Sequence, residues 1–446
     1  MEDRLRISIS GIRGKVPQAL NVEIASKFAS AFSSYLEKGT MALCRDCRES
    51  SRMLALSSIS SVSASGLDCI DFGRLPTPFL QFFLNKNNYS GGLSVSAGHN
   101  PSPWNAILLL DSEGFYLDAS EGPEVFNIYE AGWFEKAPWD KLGKIKESVF
   151  PFHLYLEALS KIVHFKEIKK AGFKITADPC NGAVSPFLKP YSQFFGLKTI
   201  TLNDETDKPF SHSPEPSIEN SSQAEAVVKA TDSDLGFLLN SDGSRISLVS
   251  EKGKGLSEEM TLPLCLISLK GKIKKVVSTV ASSSLVDWAA KETNLKVIRT
   301  KVGQSSVTHT MLAEESKAGG EGSGSFAFLP FSPGYDSLLA LTLILDLMAR
   351  KGKKMSEIIS PFPLLVRKKI KIGVSPIKIY RVMDQLEEKY SKENPDYTDG
   401  IRVNRKNAWF IIRPSLTEFI LRIMIEGKDQ KSISSIEEEI KERIEI

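Results

Sequence analysis

The 446-residue chain carries 57 lysine and arginine residues against 54 aspartate and glutamate residues, a formal net charge of +3, and 41% of its residues are hydrophobic. This charge balance gives no reason to expect a nucleic-acid partner, and the composition is ordinary for a globular protein. A chain of this length is too long for one hydrophobic core, so we expect several domains.

The amino-terminal residues are charged and include no apolar segment, so we expect no secretory signal. The longest apolar run, residues 338–349, is too short to span a membrane and predicts a buried helix. Five scattered cysteines, an odd number, predict free thiols, a cytoplasmic location and no membrane partner. Cys44 and Cys47 form a C-x-x-C without a second pair for zinc, so we interpret them as structural.

Three segments alternate between β-branched runs and stretches of helical period. They occupy residues 41–73, 173–203 and 273–303, and each one predicts a strand, a helix and a second strand. Such βαβ units form parallel sheets covered by helices. The sequence therefore predicts three consecutive α/β domains.

The last eighty or so residues have a different pattern. Strand-like segments at residues 363–373, 399–415 and 418–427 precede a charged helical segment at residues 432–446. This order predicts an α+β domain rather than a fourth βαβ unit. Together with the boundaries suggested near residues 150 and 255, the predicted domains are residues 1–150, 151–254, 255–366 and 367–446.

Seven short motifs follow in order along the chain, several of them on loops after predicted strands. They are SISGIRG, CRDCRESS, LPTP, SAGHNP, LNSDGSR, GGEGSGS and RPSLTEF. In order and spacing they resemble the motifs of the α-D-phosphohexomutase family, from about Ile7 to about Asp429. The resemblance implies three α/β domains and an α+β domain around a central cleft for a hexose phosphate. It also implies a phosphoserine that exchanges its phosphoryl group with the sugar, assisted by Mg²⁺.

The nucleophile implied by the resemblance is absent. The family's serine aligns with Gly98, which has no side chain to phosphorylate. Ser96 lies two residues away, and in an extended segment its oxygen would be displaced by about 6 Å. In-line transfer needs reacting atoms roughly 3 to 3.5 Å apart, so Ser96 or Ser102 could act only in a rebuilt loop. His99 and Arg13 match the family's pattern and remain candidate catalytic residues.

The metal loop departs from the family in the same way. Where the resemblance implies three aspartates, the chain has Asn240, Asp242 and Ser244, so one carboxylate remains. Mg²⁺ is held by hard oxygen ligands, so we expect weak or absent Mg²⁺ binding. A lysine implied after the H-N-P turn aligns with Leu108, which cannot transfer a proton.

Two further loops keep more of the family's residues. Glu321 and Ser323 match residues that hold the sugar hydroxyls, although Ser325 replaces a histidine. The resemblance implies a phosphate site at Arg413, Ser415 and Thr417, supplemented by Arg13 and Arg245. Within that loop Leu416 and Phe419 replace a glycine and a proline.

Three hypotheses follow. The leading one is a phosphohexomutase-family protein with a hexose-phosphate cleft and without the standard phosphoserine mutase activity. The second keeps that activity through a relocated serine or an external sugar bisphosphate as phosphoryl donor. The third is a regulatory sugar-phosphate-binding module, monomeric, homodimeric or paired with an active paralogue. The loops do not distinguish glucose, mannose and glucosamine phosphates.

Overall fold

Four β-sheets follow one another along the chain in the computed structural model, which describes residues 4–415 and 420–444. The first three sheets mix parallel and antiparallel strands and the fourth is antiparallel, which confirms the prediction of three α/β domains and an α+β domain. No helix in these described ranges is long and apolar enough to cross a membrane. All five cysteines are free, as predicted.

Domain I contains a seven-stranded sheet. Its strands are β1 (Arg6–Ser8), β2 (Gly11–Lys15), β3 (Thr40–Arg45), β4 (Asp68–Arg74), β5 (Gly91–Val95), β6 (Trp104–Leu110) and β7 (Ile145–Glu147). They are arranged in the order β1-β2-β6-β5-β3-β4-β7. The helices are α1 (Val22–Leu36), α2 (Glu49–Ala64), α3 (Thr77–Lys86) and α4 (Glu121–Ala131).

Domain II contains a four-stranded sheet of order β11-β10-β8-β9, formed by β8 (Lys174–Asp178), β9 (Lys198–Thr201), β10 (Leu235–Leu239) and β11 (Ile246–Ser250). Its helices are α5 (Phe152–Ile162), α6 (Phe165–Ala171), α7 (Ser185–Phe195) and α8 (Ser222–Thr231). Single 3-10 turns occur here and elsewhere at Trp139–Lys141, Ile218–Asn220, Glu258–Met260 and Ser391–Glu393.

Domain III contains a sheet of order β13-β12-β14-β15, formed by β12 (Lys275–Thr279), β13 (Lys296–Thr300), β14 (Ala318–Glu321) and β15 (Ser325–Phe328). Its helices are α9 (Thr261–Ser268), α10 (Leu285–Thr293), α11 (Gln304–Ala313), α12 (Ser337–Lys351) and α13 (Met355–Ile359). Residues 337–348 of α12 are all buried, which confirms the predicted buried helix. The Asp336 carboxylate caps it by accepting a hydrogen bond from Leu339 N.

The first three domains share a plan that the βαβ pattern alone did not predict. In each, a parallel strand pair is extended by an antiparallel hairpin: β5–β6, β10–β11 and β14–β15. The hairpin loops carry the SAGHNP, LNSDGSR and GGEGSGS motifs. Equivalent loops of three successive domains therefore present the candidate site residues.

Domain IV is an antiparallel sheet of order β16-β19-β18-β17 with two helices. Its elements are β16 (Val366–Gly373), α14 (Pro376–Tyr390), β17 (Ile401–Asn404), β18 (Ala408–Ser415), β19 (Ile420–Gly427) and α15 (Gln430–Ile444). Helix α14 was not predicted, although Ile379, Val382 and Leu386 form its buried face at helical spacing. The stretch predicted as one strand at residues 399–415 is a hairpin, β17–β18.

One hydrophobic cluster spans domains I to III, domain I has a second cluster, and domain IV has its own. Aromatic rings from three domains meet in the shared core, where Phe79 of α3 contacts Tyr155 of α5 and Phe187 of α7, and Tyr155 contacts Phe331. Domain IV meets domain III through a small apolar cluster of Val280, Ala281, Trp409 and Ile411.

Candidate functional site

The loop that follows β5 lies directly against the loop that follows β10. Gly98 has a φ of +55°, and a Cβ built on it would lie 3.2 Å from Asp242 Oδ2 and 3.6 Å from Asn240 Nδ2. The left-handed backbone and this short approach both favour glycine. The nucleophile position and the metal loop are therefore in contact, with no side chain between them.

A buried ion pair fixes the Gly98 loop. The Arg48 guanidinium donates to the carbonyls of Gly98 at 2.7 Å, Asn100 at 2.7 Å and Pro101 at 3.0 Å. Its Nε lies 3.0 Å from Asp46 Oδ2, and both side chains are buried. Neither residue was predicted as a site residue, although a D-x-R pair inside the CRDCRESS motif was a signal for it.

Ser96 is held inside the same network. Its Oγ donates to Asp46 Oδ2 at 2.7 Å, accepts a hydrogen bond from Gly98 N at 3.0 Å and lies 3.4 Å from Asp242 Oδ2. The side chain is fully buried. The hydroxyl therefore stabilises the turn. It also lies at hydrogen-bonding distance from the Asp46 carboxylate, which could accept its proton.

The metal loop is closed by hydrogen bonds among its own side chains. Asp242 Oδ1 accepts from Asn240 Nδ2 at 2.8 Å, from Ser244 Oγ at 2.7 Å and from Ser244 N at 3.1 Å. Arg245 N donates to Asn240 Oδ1, which turns the amide NH₂ toward the carboxylate. The described part of the chain contains no cluster of three or more His, Cys, Asp or Glu side chains arranged to hold a metal. The loop thus presents one carboxylate beside an amide N–H donor, whereas Mg²⁺ prefers oxygen ligands.

His99 is surrounded by positive charge. Burial, followed by the charges of nearby arginines, lowers the pKa of His99 well below its usual value, so the imidazole is neutral at pH 7. The arginines come from three domains: Arg13 and Arg48 from domain I, Arg245 from domain II and Arg422 from domain IV. A cationic cleft of this kind suits a phosphate ester.

The lysine position of the resemblance is apolar here. Leu108 lies in β6 opposite Gly11 and Ser94, and its side chain is buried. Leu108 itself offers no group that could transfer a proton.

In domain III the candidate sugar-binding residues lie at the β14–β15 turn. Glu321 Oε1 accepts a hydrogen bond from Gly303 N at 2.9 Å and one from the Tyr335 hydroxyl at 3.2 Å. Burial and the Glu321 charge raise the pKa of Tyr335 well above its usual value. Ser323 Oγ lies 3.1 Å from Ser325 Oγ, so the serine that replaces the histidine binds its neighbour.

In domain IV the candidate phosphate-binding residues lie at the end of β18. Arg413 Nη2 lies 2.7 Å from Asp399 Oδ2, a partner that the sequence did not suggest, and Ser415 is half-buried. Thr417, Leu416 and Phe419 lie outside the described residues. The structure thus brings Gly98 and Asp242 into contact, and places Glu321 and Arg413 on the two following domains.

Four segments of the chain match phosphoglucomutase/phosphomannomutase family domains. Residues 6–136, 153–253 and 259–364 match its alpha/beta/alpha domains I, II and III, and residues 375–443 match its C-terminal domain. The order and positions of these matches follow the four sheets.

Individual proteins are similar over nearly the whole chain. A probable phosphoglucosamine mutase of Pyrococcus horikoshii is 31% identical over 432 residues, which cover 95% of this chain and 94% of that protein. The structure of a putative phosphomannomutase from Thermus thermophilus matches all of both chains with a TM-score of 0.84 and 22% identity. An N-acetylphosphoglucosamine mutase of Aspergillus fumigatus, solved with GlcNAc-6P and magnesium, has a TM-score of 0.58 and 14% identity over 99% and 96% of the chains.

Proposed function

Because the chain belongs to the phosphoglucomutase/phosphomannomutase family, we propose that its interdomain cleft binds a hexose phosphate and that it lacks the phosphoserine-dependent mutase reaction. The observation that carries the proposal is Gly98, which stands at the phosphoserine position with a left-handed backbone. A phosphoryl group must rest on the protein between the two half-reactions, and Gly98 offers no oxygen to hold it.

The geometry around Gly98 supports the loss of this chemistry. A Cβ at this position would already be 3.2 Å from Asp242 Oδ2. A phosphoserine with an Mg²⁺ ion between it and the metal loop needs several ångströms more. The contact between the two loops therefore favours a protein that does not carry a phosphoserine here.

The metal loop supports weak or absent Mg²⁺ binding. The Asn240 amide donates to Asp242 and Ser244, so hydrogen bonds hold the loop in the shape that a cation would otherwise organise. The loop offers Mg²⁺ one carboxylate and no phosphoserine. These ligands would offset little of the free energy needed to dehydrate the ion.

The binding half of the proposal rests on the cationic groups and on Glu321. The charges of Arg13 and Arg245 act on the neutral His99, and Arg413 lies near the end of β18 in domain IV. A guanidinium binds a phosphate through a bidentate pair of N–H groups, and a carboxylate such as Glu321 accepts sugar hydroxyls. This arrangement suits a hexose phosphate, the ligand class named for the Aspergillus fumigatus relative.

The test is a coupled assay for interconversion of hexose 1- and 6-phosphates, with Mg²⁺ and added hexose bisphosphate, together with intact mass. We expect no turnover above buffer and no phosphoprotein. Removal of one charge-stabilising group costs roughly 10²- to 10³-fold in rate, and here several are changed. Binding is measured separately, as a thermal shift with each hexose phosphate.

One observation favours a second candidate function, a mutase with a relocated nucleophile. Ser96 Oγ donates to Asp46 Oδ2 at 2.7 Å, a nucleophile–base contact. Turnover that disappears in Ser96→Ala would establish this alternative and overturn the leading proposal. Ligand binding without turnover would instead support a regulatory role, with an active paralogue as the partner to seek.

A further inference from the structure

A carboxylate of domain IV joins the candidate phosphate-binding arginine to domain III. Asp399 Oδ2 lies 2.7 Å from Arg413 Nη2 and accepts a hydrogen bond from Val302 N at 2.9 Å. Asp399 precedes β17, whereas Val302 lies in the loop between β13 and α11. One oxygen atom thus bridges the two domains at the cleft.

The next amide of that loop serves the candidate sugar-binding residue. Gly303 N donates to Glu321 Oε1 at 2.9 Å, and Gly303 has a φ of +124°, a conformation open to glycine. Val302 N and Gly303 N belong to consecutive peptide groups that meet at the Val302 Cα, so the backbone conformation of Val302 sets the direction of one N–H relative to the other. The chain of contacts runs from Glu321 through two consecutive amides to Asp399 and Arg413.

We propose that Asp399 is a positioning residue that holds Arg413 for the phosphate of the ligand and, through Val302 and Gly303, couples it to Glu321. The proposal rests on the proposed function, because it takes the cleft ligand to be a hexose phosphate. The sugar of the ligand is then bound by Glu321 and its phosphate by Arg413. The hydrogen bonds of Gly303, Val302 and Asp399 connect these two residues in a relay.

The hydrogen bonding of Arg413 distinguishes this arrangement from an ordinary stabilising ion pair. Its Nε is buried, and the described residues offer that atom no hydrogen-bond partner. A buried donor left unpaired is costly, and a phosphate oxygen would satisfy it. Asp399 therefore holds the guanidinium by Nη2 and does not use the hydrogen-bonding capacity of Nε.

Gly400 makes the pairing sterically feasible. Its φ is +90°, and a Cβ at this position would lie 2.3 Å from Ile412 O and 3.0 Å from Arg413 Cγ. Any larger residue would push against the strand and the arginine stem. Asp399 and Gly400 thus act together, one by charge and the other by the absence of a side chain.

The experiment compares Asp399→Ala with Asp399→Asn by calorimetry, with glucose 6-phosphate and with inorganic phosphate as probes. Asparagine keeps an acceptor for Val302 N and for Arg413, whereas alanine removes it. We expect Asp399→Ala to bind glucose 6-phosphate about tenfold more weakly, the loss of one hydrogen bond to a charged group, and Asp399→Asn to bind within about threefold of the parent. Inorganic phosphate, which does not reach Glu321, should lose less in Asp399→Ala.

Glu258→Gln is the matched control, because Glu258 also pairs across the domain III–IV boundary, with Lys369 at 2.9 Å, but lies off the relay. It should leave both affinities unchanged. Equal affinity of Asp399→Ala and the parent, or equal weakening in Asp399→Asn and Asp399→Ala, would overturn the positioning role.

A readout without ligand separates this proposal from the proposed function. Amide hydrogen exchange at Val302 and Gly303 should accelerate together in Asp399→Ala and stay slow in Glu258→Gln. Faster exchange at Val302 alone would refute the relay to Glu321. A parent protein that binds no hexose phosphate would instead refute the proposed function, whatever the exchange shows.

Discussion

Asn240 Nδ2 donates a 2.8 Å hydrogen bond to Asp242 Oδ1, so an amide group neutralises part of the charge that a metal ion would neutralise in a loop of three carboxylates. The amide is oriented by Arg245 N, which donates to Asn240 Oδ1. The loop therefore keeps its shape by hydrogen bonding alone.

We expect calorimetric titration of the parent protein with Mg²⁺ to detect little binding, because one carboxylate offers too few oxygen ligands. The double variant Asn240→Asp/Ser244→Asp should bind Mg²⁺ more tightly, since it adds two local negative charges. Asn220→Asp, a similar change on an exposed 3-10 turn, is the control and should have no effect. Micromolar affinity in the parent protein would contradict this reading of the loop.

Gly98→Ser should lower stability and leave the protein inactive. The left-handed φ of +55° costs a non-glycine residue about 1 kcal/mol, and the added Cβ approaches Asp242 Oδ2 to 3.2 Å. Asn240, Ser244 and Leu108 remain unchanged, so we expect the serine to lack both a bound metal and the lysine that the family resemblance implies. Thermal unfolding and intact mass after incubation with a hexose bisphosphate check both parts. Gly132→Ser, at an open helix end with a φ of +69°, controls for backbone strain alone.

Arg413→Ala should abolish the thermal shift that a hexose phosphate produces, because the guanidinium supplies the charged N–H groups at that end of the cleft. Lys378→Ala removes a cation from α14, the helix that packs on the opposite face of the domain IV sheet, and should not change the shift. An undiminished shift in Arg413→Ala would place the phosphate elsewhere.

Arg48→Met should destabilise the protein by about 3 kcal/mol or more, since it leaves the buried Asp46 carboxylate without its cation and removes one donor from each of three loop carbonyls. Urea unfolding measures the change. Lys27→Met breaks the exposed pair with Glu23, which water screens, and should cost much less stability than Arg48→Met. Similar losses in the two variants would show that the Asp46–Arg48 pair does not hold the loop.

His212 should give the protein a pH-dependent stability. Burial lowers its pKa, but hydrogen bonds and charge from Asp178 and Cys180 outweigh burial and raise the pKa to about 10. Both ring nitrogens face acceptors, Asp178 Oδ2 at 3.2 Å and Ser213 O at 2.8 Å, as an imidazolium requires.

The folded pKa lies above the unfolded value near 6.5, so this stabilisation is complete below pH 6.5 and disappears as the pH rises to about 10. Because the ring is partly exposed, we expect a loss of roughly 2 kcal/mol. Urea unfolding between pH 6 and 10 measures it, and His212→Gln should flatten the profile. A parallel decline in His212→Gln would assign the effect to other groups.

The class of each domain could be predicted from the sequence. The spacing of buried apolar residues along a short segment indicates whether that segment forms a helix or a strand. The sequence did not reveal α14, whose exposed face carries Ile377 and Tyr380 and weakens the amphipathic pattern. The hairpins β10–β11 and β14–β15 also went unrecognised, since their glycine-rich turns resembled loops rather than strand connections.

Gly98 and Asp242 could be proposed as site residues from the sequence, because each lies within a single motif, and the structure places them close together. Asp399 was not, because its role depends on Val302 and Arg413, which come from other segments and meet it only in the folded chain. Arg48 was missed for a related reason: it acts on backbone carbonyls of a distant loop, and the D-x-R pair inside its own motif was the one signal of its role.

Because domain IV has a separate core, we expect this chain to unfold in more than one step. The body formed by domains I to III and the smaller domain IV, joined by a small apolar cluster and by polar contacts, can lose their structure in two transitions. Substitutions at Arg48 and His212 then move only the transition of the larger body. A ligand that spans the cleft links both bodies, so its binding draws the two transitions together.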